Sequence, residues 1–227
     1  MTGTQAQVSE SNFISKVFLW MSLGLFLSAA ASFWLLAQPV LLKTILTNGW
    51  ILIGIIVAEL ALVIWLSSAV MRLSVGTATM LFLVYSFLNG ITLTPIFLIY
   101  TAASVGSTFA ITAGTFLFFS VYGLTTKKDL TTLGSLAMMG VIGIIIASVV
   151  NIFMKSPALM WVITFVGIAV FLGLIAYDTQ KLKAMHAMGF ENEAMGKKLA
   201  IMGALALYLD FINLFILLLR IFGKRRD

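Results

Sequence analysis

Seven stretches of this chain are apolar for about 20 residues or more, and that limits the fold before any motif is read. They are Val17–Ala37, Trp50–Met71, Thr77–Tyr100, Ser104–Leu124, Leu133–Met154, Ala158–Tyr177 and Leu199–Phe222. A helix of about 20 residues crosses a hydrocarbon core about 30 Å thick. No water is present there to bond the backbone, so each spanning segment must satisfy its own N–H and C=O groups, which predicts helices. Of the 227 residues, 61% are hydrophobic and only 10% are charged, against roughly 25% charged in soluble domains. The expected fold class is an all-α integral membrane protein with seven transmembrane helices. Residues 1–12 read as a flexible polar tail and residues 13–227 as a single membrane domain. The first dozen residues lack a basic segment, so a cleavable signal peptide is not expected.

The absence of cysteine excludes disulfides, zinc–thiolate sites and thiol nucleophiles. The formal net charge is +6, but the basic residues stand at the ends of apolar runs. That pattern reports topology rather than nucleic-acid binding. With a cytoplasmic N-terminus, the inner side receives Lys16, Arg72, Lys127, Lys128, Lys181, Lys183, Lys197 and Lys198, and the outer side Lys43 and Lys155. The C-terminal Arg220, Lys224, Arg225 and Arg226 oppose this bias. Either the last span crosses despite them or it re-enters; seven full spans are the expectation. Lys181–Lys198 reads as the one substantial polar loop, with His186 and its lysines in solvent. Pro95, in the third span, is expected to bend it.

Three of the eight acids lie within or at the edge of apolar runs: Glu59, Asp178 and Asp210. An acid inside a bilayer costs a few kcal/mol, so it faces protein or a water-filled path and is a functional-site hypothesis by default. Rise along a helix puts Asp210 about 18 Å beyond Lys198, Glu59 about 20 Å before Arg72, and Asp178 near the inner mouth beside Arg72. Asn213 shares a face with Asp210, as do the small residues Ala206 and Gly203. Desolvation disfavours a charged carboxylate, and two close carboxylates titrate as a unit. Such a pair suits a protonation-controlled cation path. Calcium takes six to eight oxygen ligands, and Asp178, Asp210, Asn213 and backbone oxygens would offer a weak, transient site. Read singly, each acid also fits a structural hydrogen-bond partner or a solvated helix end, and Arg72 a topology determinant.

The segments AYDTQKLK (Ala176–Lys183) and ALYLDFINLFILLLRIFG (Ala206–Gly223) resemble signature segments of the Bax inhibitor-1 family, as do TTKKDL (Thr125–Leu130) and NGITLTPIF (Asn89–Phe97). The resemblance covers the chain from about Phe13 onward, and the nearest kin by pattern are bacterial inner-membrane members. It implies a last helix that is central and surrounded by the other six. It implies a pH-sensitive calcium leak governed by an aspartate pair, here Asp178 and Asp210, with Arg72 as counter-charge. Glu59 corresponds, within a residue or two, to a second-helix acid of related proteins. No cofactor is implied beyond transient Ca²⁺. The implied partners are the lipid bilayer, Ca²⁺ and H⁺, together with a membrane-bound AAA protease that some bacterial relatives help to control. A proton-coupled secondary transporter would use the same residues.

An enzyme is not expected. Tyr177-Asp178 has the look of the first motif of intramembrane aspartyl proteases. Their second aspartate follows Gly-x-Gly, however, whereas Asp210 follows Leu207-Tyr208-Leu209. Their Pro-Ala-Leu motif also follows the second aspartate, whereas Pro157-Ala158-Leu159 precedes the first.

Overall fold

The computed structural model describes the backbone of residues 3–226 and the side chains of residues 11–226. The described residues form eight helices: α1 (Gly3–Leu36), α2 (Pro39–Thr47), α3 (Gly49–Ala69), α4 (Val75–Ile99), α5 (Ala102–Thr125), α6 (Thr131–Met154), α7 (Pro157–Ala187) and α8 (Glu193–Phe222). All but α2 are long and apolar enough to span a membrane, which gives the seven expected spans. The protein is therefore a multi-pass membrane protein.

Hydropathy placed the spans but not all of their ends. Residues 3–12, read as a tail, belong to α1, and its span begins at Ser11. Most of the expected loop Lys181–Lys198 is helix. The apolar run stops near Tyr177, but lysine, alanine and methionine are good helix formers, and α7 continues to Ala187. Gly189 then turns the chain at φ 79°, a left-handed conformation favoured by glycine. Asn192 opens α8 by accepting a hydrogen bond from the Met195 N–H at 2.8 Å. The connection after the first span holds α2, which the apolar pattern did not separate from it. Pro39 starts α2 where a missing N–H costs nothing. Its Ile45 is buried with Ala31, Leu35 and Ile91.

The helices pack as two compact units. One comprises the chain up to Ile99 together with His186–Tyr208; the other comprises Tyr100–Met185 and the chain from Leu209. α8 contributes residues to both units. In the first unit α1 packs on α4 at Gly90, where a Cβ would overlap the Ser28 carbonyl. Ser32 Oγ donates to the Gly90 carbonyl at 2.6 Å, and Thr94 Oγ1 to the same oxygen at 3.1 Å. α4 remains helical through Pro95.

In the second unit α5 and α8 run in opposite directions. Thr101 N–H donates to the Lys224 carbonyl at 2.9 Å, Phe109 meets Phe215, and Phe116 meets Phe211. This settles the topology of the last span. α8 is one continuous helix whose basic end pairs with the start of α5, so it crosses and does not re-enter.

Burial separates the spans. In the apolar window of α8, 72% of residues are buried, against 39% or fewer in any other span. A helix buried to that extent faces protein rather than lipid along most of its apolar length. α6, with 6% buried, presents Leu136, Ile142 and Ile146 outward, as lipid contact requires.

Candidate functional site

Asp210 lies deep within α8 and is 5% exposed. Its Oδ2 is buried without a hydrogen-bond partner. A polar atom left unbonded in an apolar interior is destabilising and needs an explanation. Asp178, half-buried on α7 of the same unit, acts on Asp210 through its charge. The structure thus brings together the two aspartates. Lys181, one turn further along α7, is the cation acting on Asp178.

The sequence set Asp178 near the inner mouth and Asp210 about 18 Å deep; the packing brings their levels closer. A Cβ on Gly167 of α7 would come within 2.8 Å of Leu217 Cδ1 of α8, which sets these two residues side by side. Seven residues along each antiparallel helix lead to Leu174 and Asp210. Asp178 is four residues further, about 6 Å along the axis. The sequence estimate failed because it ended the sixth span at Tyr177. In the structure Asp178 stands nine residues inside α7.

The same packing supplies a residue that sequence reading did not single out. Gly123 of α5 lies against the backbone of Ala176, so close that a Cβ would overlap the Ala176 carbonyl. Ser120 is three residues earlier on α5, which places it within about one turn of the aspartate level. It is 1% exposed, and its Oγ lacks a hydrogen-bond partner. The available signal was the spacing Ser104, Thr108, Thr112 and Ser120, a hydroxyl stripe along the buried face of α5. Asn213, expected as an accessory ligand, is half-buried and donates its Nδ2 to the Leu209 carbonyl of its own helix at 2.8 Å.

Residues 10–227 match the family described as "Inhibitor of apoptosis-promoting Bax1". The chain belongs to the Bax inhibitor-1 family. It is 49% identical to "Inner membrane protein YbhL" of Escherichia coli (strain K12), over 98% of this chain and 95% of that protein. An uncharacterized protein of Borreliella burgdorferi is 44% identical over 96% of this chain and 94% of its own length. One from Rickettsia prowazekii is 42% identical over 95% and 90%.

In this Bax inhibitor-1 protein the remaining expected residues, Glu59 and Arg72, belong to the first unit. Glu59 is 9% exposed and accepts a hydrogen bond from Thr92 Oγ1 at 3.0 Å. It adjoins a buried network centred on Tyr208, two residues before Asp210. The Tyr208 hydroxyl donates to Asn89 Oδ1 at 2.9 Å and is 2.6 Å from Ser28 Oγ, which reaches the Ser86 carbonyl at 2.7 Å. Arg72 is exposed in the turn after α3. Asn89, which opens the segment NGITLTPIF, is the acceptor for the tyrosine.

Three readings of the polar loop are corrected. His186 is half-buried rather than solvated; it stacks on Phe13 with centroids 5.4 Å apart and meets Phe190 edge-on. Lys183 Nζ donates to the Leu124 carbonyl at 2.8 Å, and Lys198 Nζ to the Met71 carbonyl at 3.1 Å. Both lysines satisfy carbonyls at or just beyond helix C-termini, where cations are favoured. Long side chains at helix ends reach such acceptors only once the helices pack, so composition alone left them in solvent.

Proposed function

We propose that this Bax inhibitor-1 protein is a pH-sensitive calcium leak of a bacterial inner membrane, gated by Asp178 and Asp210. The observation that carries the reading is Asp210: a buried acid whose Oδ2 has no hydrogen-bond partner, with a second acid, Asp178, about one turn from its level. A structural acid would spend its oxygens on donors, as Glu59 does on Thr92. Asp210 keeps an oxygen available for a proton or a cation. Hard oxygen donors suit Ca²⁺. Among the described residues no cluster of three or more acids, histidines or cysteines could hold a metal. Two acids suit an ion that must leave again, since conduction requires weak binding.

In this reading protons and cations compete for the pair, and protonation closes the path. The inner-membrane location follows the name of the Escherichia coli relative, and the lysine bias puts the N-terminus in the cytoplasm. Arg72 as counter-charge is carried over from the family resemblance.

The test is calcium flux into liposomes across pH 5 to 8, comparing wild type with Asp178→Asn/Asp210→Asn. Wild-type flux should rise with pH, and the double variant should lose that dependence. Arg72→Gln should alter the pH profile without abolishing flux. Flux and pH profile unchanged in the double variant would sink the proposal.

A further inference from the structure

A cleft of about 350 Å³ opens where the α5–α6 connection meets α7, lined by Lys127, Lys128 and Lys181 with Asp129, Thr131 and Tyr177. Lysines at a membrane-protein end are ordinary topology signals; these three differ in sharing a shaped and braced cleft. Gln180 holds its wall. Its Nε2 donates to the Lys128 carbonyl at 2.8 Å, and its Oε1 accepts from the Leu130 N–H at 2.9 Å. The Lys128 N–H donates to Thr126 Oγ1 at 3.3 Å.

The one acid in the cleft is already engaged. Asp129 Oδ1 accepts from the Thr131 N–H at 2.9 Å and from Thr131 Oγ1 at 2.6 Å. All three lysines are exposed and stand outside any salt bridge among the described residues. Lys183, their neighbour on α7, is instead spent on the Leu124 carbonyl. The cleft therefore gathers three cations with ammonium donors around one space. Phosphate matches this chemistry.

Two sources could supply a phosphate group, a lipid headgroup or a soluble anion. The cleft sits at the first turn of α6, the least buried span. Below it α6 exposes Leu133, Leu136 and Met139. Acyl chains have an apolar surface to follow directly from the lysines. Basic pockets at the ends of transmembrane helices are headgroup sites of this kind. The geometry points to a binding site for the phosphate of an anionic lipid, held by Lys127, Lys128 and Lys181. The lipid assignment does not require that the aspartates gate calcium, although Lys181 also acts on Asp178 and lies over the Tyr177 ring at 5.9 Å.

The test uses the full-length chain in detergent and native mass spectrometry. Retention of phosphatidylglycerol is compared with that of phosphatidylcholine of matched chains. A lysine near an anionic surface is worth about fivefold in affinity, so K127Q/K128Q/K181Q should lose phosphatidylglycerol by roughly 100-fold. The matching triple arginine variant should retain it and so separates loss of charge from loss of fold. K155Q, at the other end of α6, should bind as wild type. The proposal is overturned if the triple glutamine variant retains phosphatidylglycerol as wild type does, or if the two lipids bind equally. Binding of inorganic phosphate at these lysines with no lipid preference would overturn the lipid assignment in favour of a soluble anion.

Discussion

Replacing Asp210 with valine should make the protein more stable, although the residue is buried. Most buried substitutions destabilise, by about 1 kcal/mol at the centre of the distribution. Here the side chain makes no hydrogen bond among the described residues, and its Oδ2 is an unpartnered atom in a 5% exposed site. A buried polar group without a partner costs about 1–3 kcal/mol, and an acid at mid-span about 2.5–3.5 kcal/mol on insertion scales. Both figures describe the desolvation of the same group, so it counts once; less about 1 kcal/mol for an imperfect fit, valine should gain about 1–2 kcal/mol. The assay is equilibrium unfolding in mixed micelles with increasing denaturing detergent, comparing midpoints for wild type, Asp210→Val and Glu59→Val. The glutamate variant serves as contrast: it leaves Thr92 Oγ1 without its Glu59 acceptor and should show no comparable gain. A loss of 1 kcal/mol or more for Asp210→Val would show that Asp210 holds the helices together, and the case for its keeping a free oxygen for function would fall.

Three further outcomes follow from the packing. Tyr208→Phe removes a hydroxyl that contacts Ser28 and Asn89; with interhelical hydrogen bonds in membranes averaging about 0.6 kcal/mol and reaching about 1.7, the loss should be about 1–2 kcal/mol. A double-mutant cycle with Ser28→Ala should show coupling, and additivity within about 0.3 kcal/mol would refute the network. Gly90→Ala places a methyl group against the Ser28 carbonyl and Ala31 and should cost about 1–3 kcal/mol as α1 is pushed off α4; an unchanged unfolding midpoint would contradict that contact. Asp129 is held below the usual carboxylate range by the hydroxyl and then the amide of Thr131. Its charged form is the favoured one, so its contribution is present above the usual carboxylate range and is lost as pH falls through the lowered value. The Thr131 amide resonance should report that low midpoint, and Asp129→Ala should abolish the titration.

Much of this protein is legible in its sequence because transfer from water to lipid is a local property. Each apolar run carries its own free energy of insertion, so seven spans could be read without knowing their neighbours. The cost of a buried acid is local too, which is why Glu59, Asp178 and Asp210 stood out before any packing was known. Where local chemistry changes character, the reading weakened. The end of α7 passes from apolar to charged residues with no loss of helix propensity, and hydropathy stopped ten residues short of Ala187. α2 merged into a connection because nine residues are too few to span.

Which acids meet, and which lysines are spent, only the tertiary structure decided. Those outcomes depend on where helices cross, and crossings are set by small residues spread along different spans: Gly90 against Ser28, Gly123 against Ala176, Gly167 against Leu217. Small side chains let backbones approach closely, but a sequence does not say which glycine meets which partner. The crossings at Gly123 and Gly167 set Asp178 about one turn from Asp210 and Ser120 near their level. At Gly90 the crossing seats Ser28 of α1 against α4, where the Tyr208 hydroxyl reaches it and Asn89. Of the three acids that one penalty singled out, packing gave one a hydroxyl partner and left another with a free oxygen facing a second charge.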